Sequence, residues 1–184
     1  ELAVDGAPAY DASRIYFQGN SLGHVLGGTF VALSPHFERA ALGVGGANLS
    51  LIMFRARPFI PFLGILSLHV DDPIAQQLFP IFAQSSFDRV DPASFAEYVV
   101  RERLPGAPAD RHVLVHTGVA DHALSMIAAA PHARQYADVA TPPPADNEVH
   151  EGVRELAAAR AQMSRFLRPG GQIEHTCSGA CDPE

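Results

Sequence analysis

The sequence predicts an α/β fold, a mostly parallel sheet flanked by helices with a helical cap-like insertion, and three observations carry that reading. Residues 14–18, 40–44 and 111–116 are short runs of strand-forming or apolar residues, each followed by helix-like sequence. Residues 14–30, RIYFQGNSLGHVLGGTF, read as a strand, a tight turn carrying a serine, and a helix. Residues 49–110 form a densely apolar, proline-interrupted stretch between the second and third of these strands. One domain is expected from 184 residues, enough chain to bury about 70% of its unfolded surface.

Residues 1–11 are polar and punctuated by Gly and Pro, and read as the tail of a preceding helix or loop. The chain opens at Glu1, with neither a methionine nor a charged-then-apolar leader, so a processed product or an excerpt of a longer protein is expected. Asp11-Ala12-Ser13 is turn-like and opens the strand at 14–18. Gly19-Asn20-Ser21-Leu22-Gly23 follows, with both glycines placed to leave room for neighbouring backbone on a sharp strand-to-helix turn. Such a turn points the Ser21 hydroxyl out of the sheet and puts the Leu22 N–H at a helix N-terminus, where a developing oxyanion is stabilised. A simpler alternative stays open: the glycines frame an ordinary βα turn and Ser21 is a helix N-cap.

The helix at 24–33 ends at Leu33-Ser34-Pro35, and Ala40-Ala41-Leu42-Gly43-Val44, closed by Gly45-Gly46, reads as a second buried parallel strand. In residues 49–70 Arg55 and Arg57 interrupt the apolar run and Pro58 and Pro61 break it, leaving 58–68 uncharged, well short of the about 20 residues a membrane span needs. Residues 74–87 and 94–103 look helical. This segment is either ordinary helical core or an apolar cap over a substrate pocket. After a loop at 104–108, the strand at 111–116 leads into Thr117-Gly118-Val119-Ala120-Asp121, which sets a carboxylate just past a strand's C-terminal end. A short helix at 123–130, a last strand at 134–140, a stiff turn at 142–144, a loop carrying His150 and an amphipathic helix at 152–167 complete the chain.

All 13 basic residues are arginine, against 20 carboxylates, and the net charge of −7 argues against nucleic acid as a partner. Cys177 and Cys181 suit a small terminal disulfide rather than free thiols, which would imply a periplasmic or secreted protein. They are too few for a zinc site without ligands from elsewhere. No metal and no cofactor is expected.

Ser21, Asp121 and His150 occur in the Ser…Asp…His order that the α/β-hydrolases use. The segment 11–15, the elbow at 19–23, the stretch from Gly118 to Asp121 and a histidine ahead of the final helix together resemble the C-terminal half of an α/β-hydrolase, and are similar to secreted or lipoprotein-like hydrolases of bacteria. The resemblance implies a partial hydrolase fold in which Ser21 is the nucleophile, His150 its general base, Asp121 the orienting carboxylate and Leu22 N–H one oxyanion donor. His122 and His175 are the other candidates for the base. The substrate would be a small-molecule ester or a lipid-like one. Two departures stand out. His24 follows the elbow where the family commonly has a small residue, and would crowd or tune the pocket. The strands and the second oxyanion donor that the family places before the elbow are missing, which implies an N-terminal partner chain or self-association through an unpaired sheet edge. A non-catalytic hydrolase-like module is the competing reading, and a thiol-redox role for the two cysteines lacks C-x-x-C spacing.

Overall fold

The computed structural model describes residues 2–118, 121, 150, 152 and 155–174. The N-terminal segment is neither helix tail nor loop. It is a small exposed hairpin, β1 (Ala3–Val4) antiparallel to β2 (Ala7–Pro8). Its two-residue turn puts Asp5 at φ 51° and Gly6 at φ 80°, the conformation for which Asp-Gly is selected.

The sheet is built from β3 (Phe17–Asn20), β4 (Arg39–Gly43) and β5 (His112–His116), all parallel in the order β3-β4-β5. Phe17 lies opposite Ala40 and Asn20 opposite Gly43, while Arg39 lies opposite His112 and Gly43 opposite His116. The first strand therefore runs over 17–20 rather than the expected 14–18, because its ladder is anchored by β4. Gly19 and Asn20 belong to the strand, and the turn is compressed into Ser21 alone. Among the described residues β4 is the one strand flanked on both sides, and each of its five residues is buried, which accounts for its uninterrupted small and apolar sequence.

Alternation along the strands divides the core into two layers. Ala40, Leu42, Val113 and Val115 pack on one face with Val31 and Ala32 of α1 (Leu22–Leu33) and Val99 of α5 (Pro92–Val100). Leu114 faces the other way, onto Phe166 of the last helix, α6 (Ala157–Phe166). That helix was expected from residue 152. Its start is delayed because Leu156 is extended (ψ 124°), although His150, Gly152 and Glu155 ahead of it have helical backbone.

Between β4 and β5 run α2 (Leu49–Arg55), a 3₁₀ turn at Arg57–Phe59, α3 (Ile60–His69), α4 (Pro73–Phe87) and then α5. The apolar run is broken where expected, with Pro58 in the 3₁₀ turn between α2 and α3. Pro61, Pro73 and Pro92 sit in the first turns of α3, α4 and α5, where a missing N–H costs nothing. Asp72 and Asp91 cap α4 and α5 by accepting from Ile74 N–H and Ala93 N–H, both caps missed in the sequence. Asp91 does more. Wholly buried, it also accepts from Asn48 N–H, Leu49 N–H and Gln84 Nε2, so one carboxylate joins the starts of α2 and α5 to α4.

No single helix among the described residues is long and apolar enough to cross a membrane, and the nearest approach, α2 with the segment from Arg57 to His69, is bent by 74°. The expected helix at 123–130, strand at 134–140 and turn at 142–144 lie outside the described residues, as do His122, His175, Cys177 and Cys181.

Two outcomes follow from the buried polar groups. Replacing Asp91 with Ala orphans four donors and is expected to cost about 3 kcal/mol in urea unfolding; a cost below about 1 kcal/mol would mean that water replaces the carboxylate. His116, buried, donates from Nε2–H to Gln162 Oε1 at 2.7 Å. Burial holds its pKa below the ordinary value, outweighing the opposing effect of the Gln162 bond. The unfolded chain thus binds a proton, near pH 6.5, that the folded chain resists, and stability is retained above that pH and lost as the pH falls below it. The His116→Gln variant is expected to show a shallower fall in urea midpoint from neutral to mildly acidic pH, by up to about one proton. An unchanged slope would place the titration elsewhere.

Candidate active site

β3 ends at Asn20, and the chain must then reverse its hydrogen-bonding from sheet to helix within one residue. Ser21 does this at φ 55°, ψ −120°, a conformation that costs a non-glycine residue about 1–3 kcal/mol. Local bonds hold it there. Ser21 N–H donates to Gly43 O at 2.8 Å, extending the β3–β4 ladder by one residue, and Ser21 O accepts from His24 N–H at 2.9 Å and Val25 N–H at 3.1 Å, opening α1. Because backbone bonds start the helix, the serine side chain makes no capping bond, contrary to the simpler alternative that its letters allowed.

The hydroxyl turns to His150 instead, with Oγ 3.0 Å from Nε2. On the far side of the ring Nδ1 lies 2.7 Å from Asp121 Oδ2. An ionised carboxylate only accepts, so Nδ1–H donates to Asp121 and Nε2 is left to accept the Ser21 hydroxyl proton. Exposure falls along this row: the His150 side chain is 20% exposed and that of Asp121 1%. His150, expected in a loop, has helical backbone just ahead of α6, and Asp121 lies five residues beyond the end of β5. Three residues separated by as many as 129 positions thus converge at the C-terminal edge of the sheet. The Leu22 N–H heads α1 beside Ser21.

The two elbow glycines do different work, where both were expected to leave room. A Cβ on Gly19 would fall 2.2 Å from Gly23 O, so Gly19 must be bare for the first turn of α1 to pass over the strand. A Cβ on Gly23 would meet nothing within 4 Å. His24, expected to crowd or tune the pocket, is wholly buried and presents no surface to one; its ring lies over Gly45, where a Cβ would come within 2.3 Å of it.

Sequence reasoning missed Val44. At φ 46° it is a β-branched residue in a region such residues almost never adopt, and its N–H donates to His116 O at 2.8 Å. Asn20, Gly43, Val44 and His116 border a space of about 10 Å³ against α6, room for one water and not for a substrate. Among the described residues no three His, Cys, Asp or Glu side chains come together as metal ligands.

The glycine geometry has opposite consequences at the two positions. Gly19→Ala is expected to cost about 1–3 kcal/mol, since backbone rather than a flexible side chain must move. Gly23→Ala, inside a helix with open space, is expected to be neutral or stabilising by up to about 1 kcal/mol. Paired urea melts decide it, and equal costs would contradict the close approach of Gly23 O to Gly19.

No protein-family model matches the sequence, and no curated protein matches it. Solved structures do match in fold. The chain is similar to the uncomplexed acylaminoacyl peptidase of Pyrococcus horikoshii (TM-score 0.58, 12% identity, covering 92% of this chain and 26% of that one). It is similar as well to an acylaminoacyl peptidase in complex with Z-Gly-Gly-Phe-chloromethyl ketone (TM-score 0.56, 13% identity, 92% of this chain and 25% of that one). An enol-lactonase from Burkholderia xenovorans LB400 matches more loosely (TM-score 0.42, 18% identity, 85% of this chain and 66% of that one). The chain spans about a quarter of the peptidases' length. At these identities the likeness is one of fold, and the fold is that of the α/β-hydrolases: a parallel sheet flanked by helices.

Proposed function

We propose that the chain carries the nucleophile, base and orienting carboxylate of a serine hydrolase acting on an ester or related acyl bond. The observation that carries this reading is the row of contacts from Ser21 Oγ to His150 Nε2 at 3.0 Å and from His150 Nδ1 to Asp121 at 2.7 Å, on a serine in a strained turn. Strain at a half-buried serine, held in place by a ladder bond, is expected where a side chain's direction matters more than local stability. The structural neighbours named acylaminoacyl peptidases fit acyl chemistry on this fold.

In this reading Ser21 Oγ attacks the substrate carbonyl carbon while its proton passes to His150 Nε2. Asp121 stabilises the imidazolium by accepting from Nδ1–H and keeps the ring in the tautomer that can accept at Nε2. The carbonyl oxygen gains the charge, and the Leu22 N–H donates to it, a contact of a kind worth about 2.7–4 kcal/mol. Collapse expels the alcohol, which takes the proton from His150 and leaves the acyl group on Ser21. Water then repeats the sequence, giving its proton to His150, and the acid departs as Ser21 regains its proton. Residues 49–110 serve as the cap over the acyl-binding space, and the uncharged stretches 58–68 and 73–87 within them suit an apolar or lipid-like acyl group.

The test is labelling by a fluorophosphonate together with turnover of a short p-nitrophenyl ester. Ser21→Ala is expected to abolish labelling and lower turnover by at least about 10⁴-fold, with circular dichroism unchanged. His150→Ala should fall within about tenfold of it, because the groups act as a unit. Labelling that survives in Ser21→Ala, or a larger loss in His122→Ala than in His150→Ala, would overturn the assignment.

A further inference from the structure

The segment formed by α3 and α4 is at odds with the rest of the molecule. Leu66 is the single buried residue of α3, and α4 has none. Ile60, Phe62, Ile65 and Leu68 of α3 are exposed, Leu68 by 80%, and so are Ile81 and Phe82 of α4. At about 100° per residue the four from α3 spread over about 200° of its circumference, leaving only the Leu66 side to face α2. A flat protein partner covers one stripe of a helix. A fluid apolar phase covers every exposed side.

Two further observations point the same way. The polar side chains of α3 turn back on its own backbone, Ser67 Oγ donating to Leu63 O and His69 Nδ1–H to Ile65 O, each at 2.8 Å. That is how hydroxyl and imidazole groups are satisfied where water is absent. Charge is also excluded from both helices: residues 58–68 and 73–87 hold no Asp, Glu or Arg. Ionised groups stand only at the ends and in the connecting turn, as Arg55, Arg57 and Arg89 against Asp71, Asp72 and Asp88. Equal numbers of each sign give no attraction to an anionic surface, and a chain of net charge −7 would be repelled by one. With 10 residues α3 is about 15 Å long, half the thickness of a bilayer's hydrocarbon core, so it can lie in an interface and cannot cross.

We infer that α3 and the exposed side of α4 form a docking surface for a neutral or zwitterionic lipid assembly, with α3 seated among the acyl chains at the interface. The surface lies on the segment assigned above as the cap, but its test reads partitioning into lipid rather than turnover, so it can fail without the assignment of Ser21 failing and the reverse.

The chain contains no tryptophan, so Leu68→Trp provides a sole reporter and Tyr10→Trp, near the exposed hairpin, a control. Phosphatidylcholine vesicles are expected to shift the emission of Leu68→Trp to the blue and brominated phosphatidylcholine to quench it, with no change for Tyr10→Trp. In flotation the unaltered chain is expected to rise with the vesicles at low and high salt alike. Ile65→Asp combined with Leu68→Asp is expected to lower partitioning at least about tenfold. Both side chains are exposed, so folding should persist, as circular dichroism will report. The inference fails if the chain stays in the aqueous fraction with lipid in large excess, or if the paired aspartates leave partitioning unchanged. It fails too if they dissolve a dimer seen by light scattering while no vesicle binding occurs, since a second copy would then be the occupant.

Discussion

The hydrogen bond from Ser21 N–H to Gly43 O sets the geometry of everything at the sheet's C-terminal edge. It carries the β3–β4 ladder one residue past the strand, so the chain has no spare residue in which to turn. The whole reversal falls on Ser21, which must take a positive φ, and α1 must start at once over Gly19. Were that bond absent, Ser21 could relax to the extended backbone of an ordinary N-cap, with Oγ bound to the first N–H groups of α1. The hydroxyl would then be satisfied locally. Strain of about 1–3 kcal/mol is offset by three backbone bonds of about 1 kcal/mol each, and what the arrangement gains is a direction for one oxygen.

A second cross-strand bond ties the same edge. Val44 N–H donates to His116 O, so the ends of β4 and β5 are tied as those of β3 and β4 are. Deeper in the fold, long-range positioning rests on buried ions that bind backbone. Arg39 donates to Gly171 O, Glu38 O and both the carbonyl and carboxylate of Asp110; Arg111 donates to Phe37 O and Ser34 O. A guanidinium has five donors in a fixed plane, which lets one side chain fasten several chain segments, and this use fits a protein whose every basic residue is arginine. Such bonds look past side-chain identity, since every residue offers a carbonyl.

Much of this was legible in the letters, for reasons that differ by element. β4 and β5 were found because buried parallel strands are short apolar runs, β4 being closed by glycines, and the first strand because β-branched and aromatic residues follow a turn. Ser21 stood out because a serine between two glycines after a strand has few uses, and Asp121 because strand ends collect functional groups. The structure brings both within reach of His150, but no local pattern could show that reach, since it spans 29 positions in one case and 129 in the other. Boundaries slipped where a partner decides them: β3 starts three residues late because its register belongs to β4. The hairpin at Asp5-Gly6 was missed despite a strong turn signal, because two-residue strands show no alternation. Val44 and the buried seat of His24 left no trace in the sequence, as each depends on a neighbour supplied by another element.

The uneven burial of the chain divides it into a rigid part and a loosely held one. β4, α1 and α5 interlock through Leu42, Val31 and Val99, and α6 closes the other face through Phe166. By contrast α3 and α4 hang from α2 with one buried side chain between them, and α2 is moored chiefly by Asp91 and by Ile52 and Ala56 beneath it. Opening α3 and α4 exposes little apolar surface that is not exposed already, so its free energy is small beside that of global unfolding. Such an opening would leave Ser21, His150 and Asp121 in place, because none of the bonds that fix Ser21 involves these helices. Movement of the apolar helices and preorganisation of the polar row are thereby separated within one short chain, and the buried carboxylate of Asp91 is where the two parts meet.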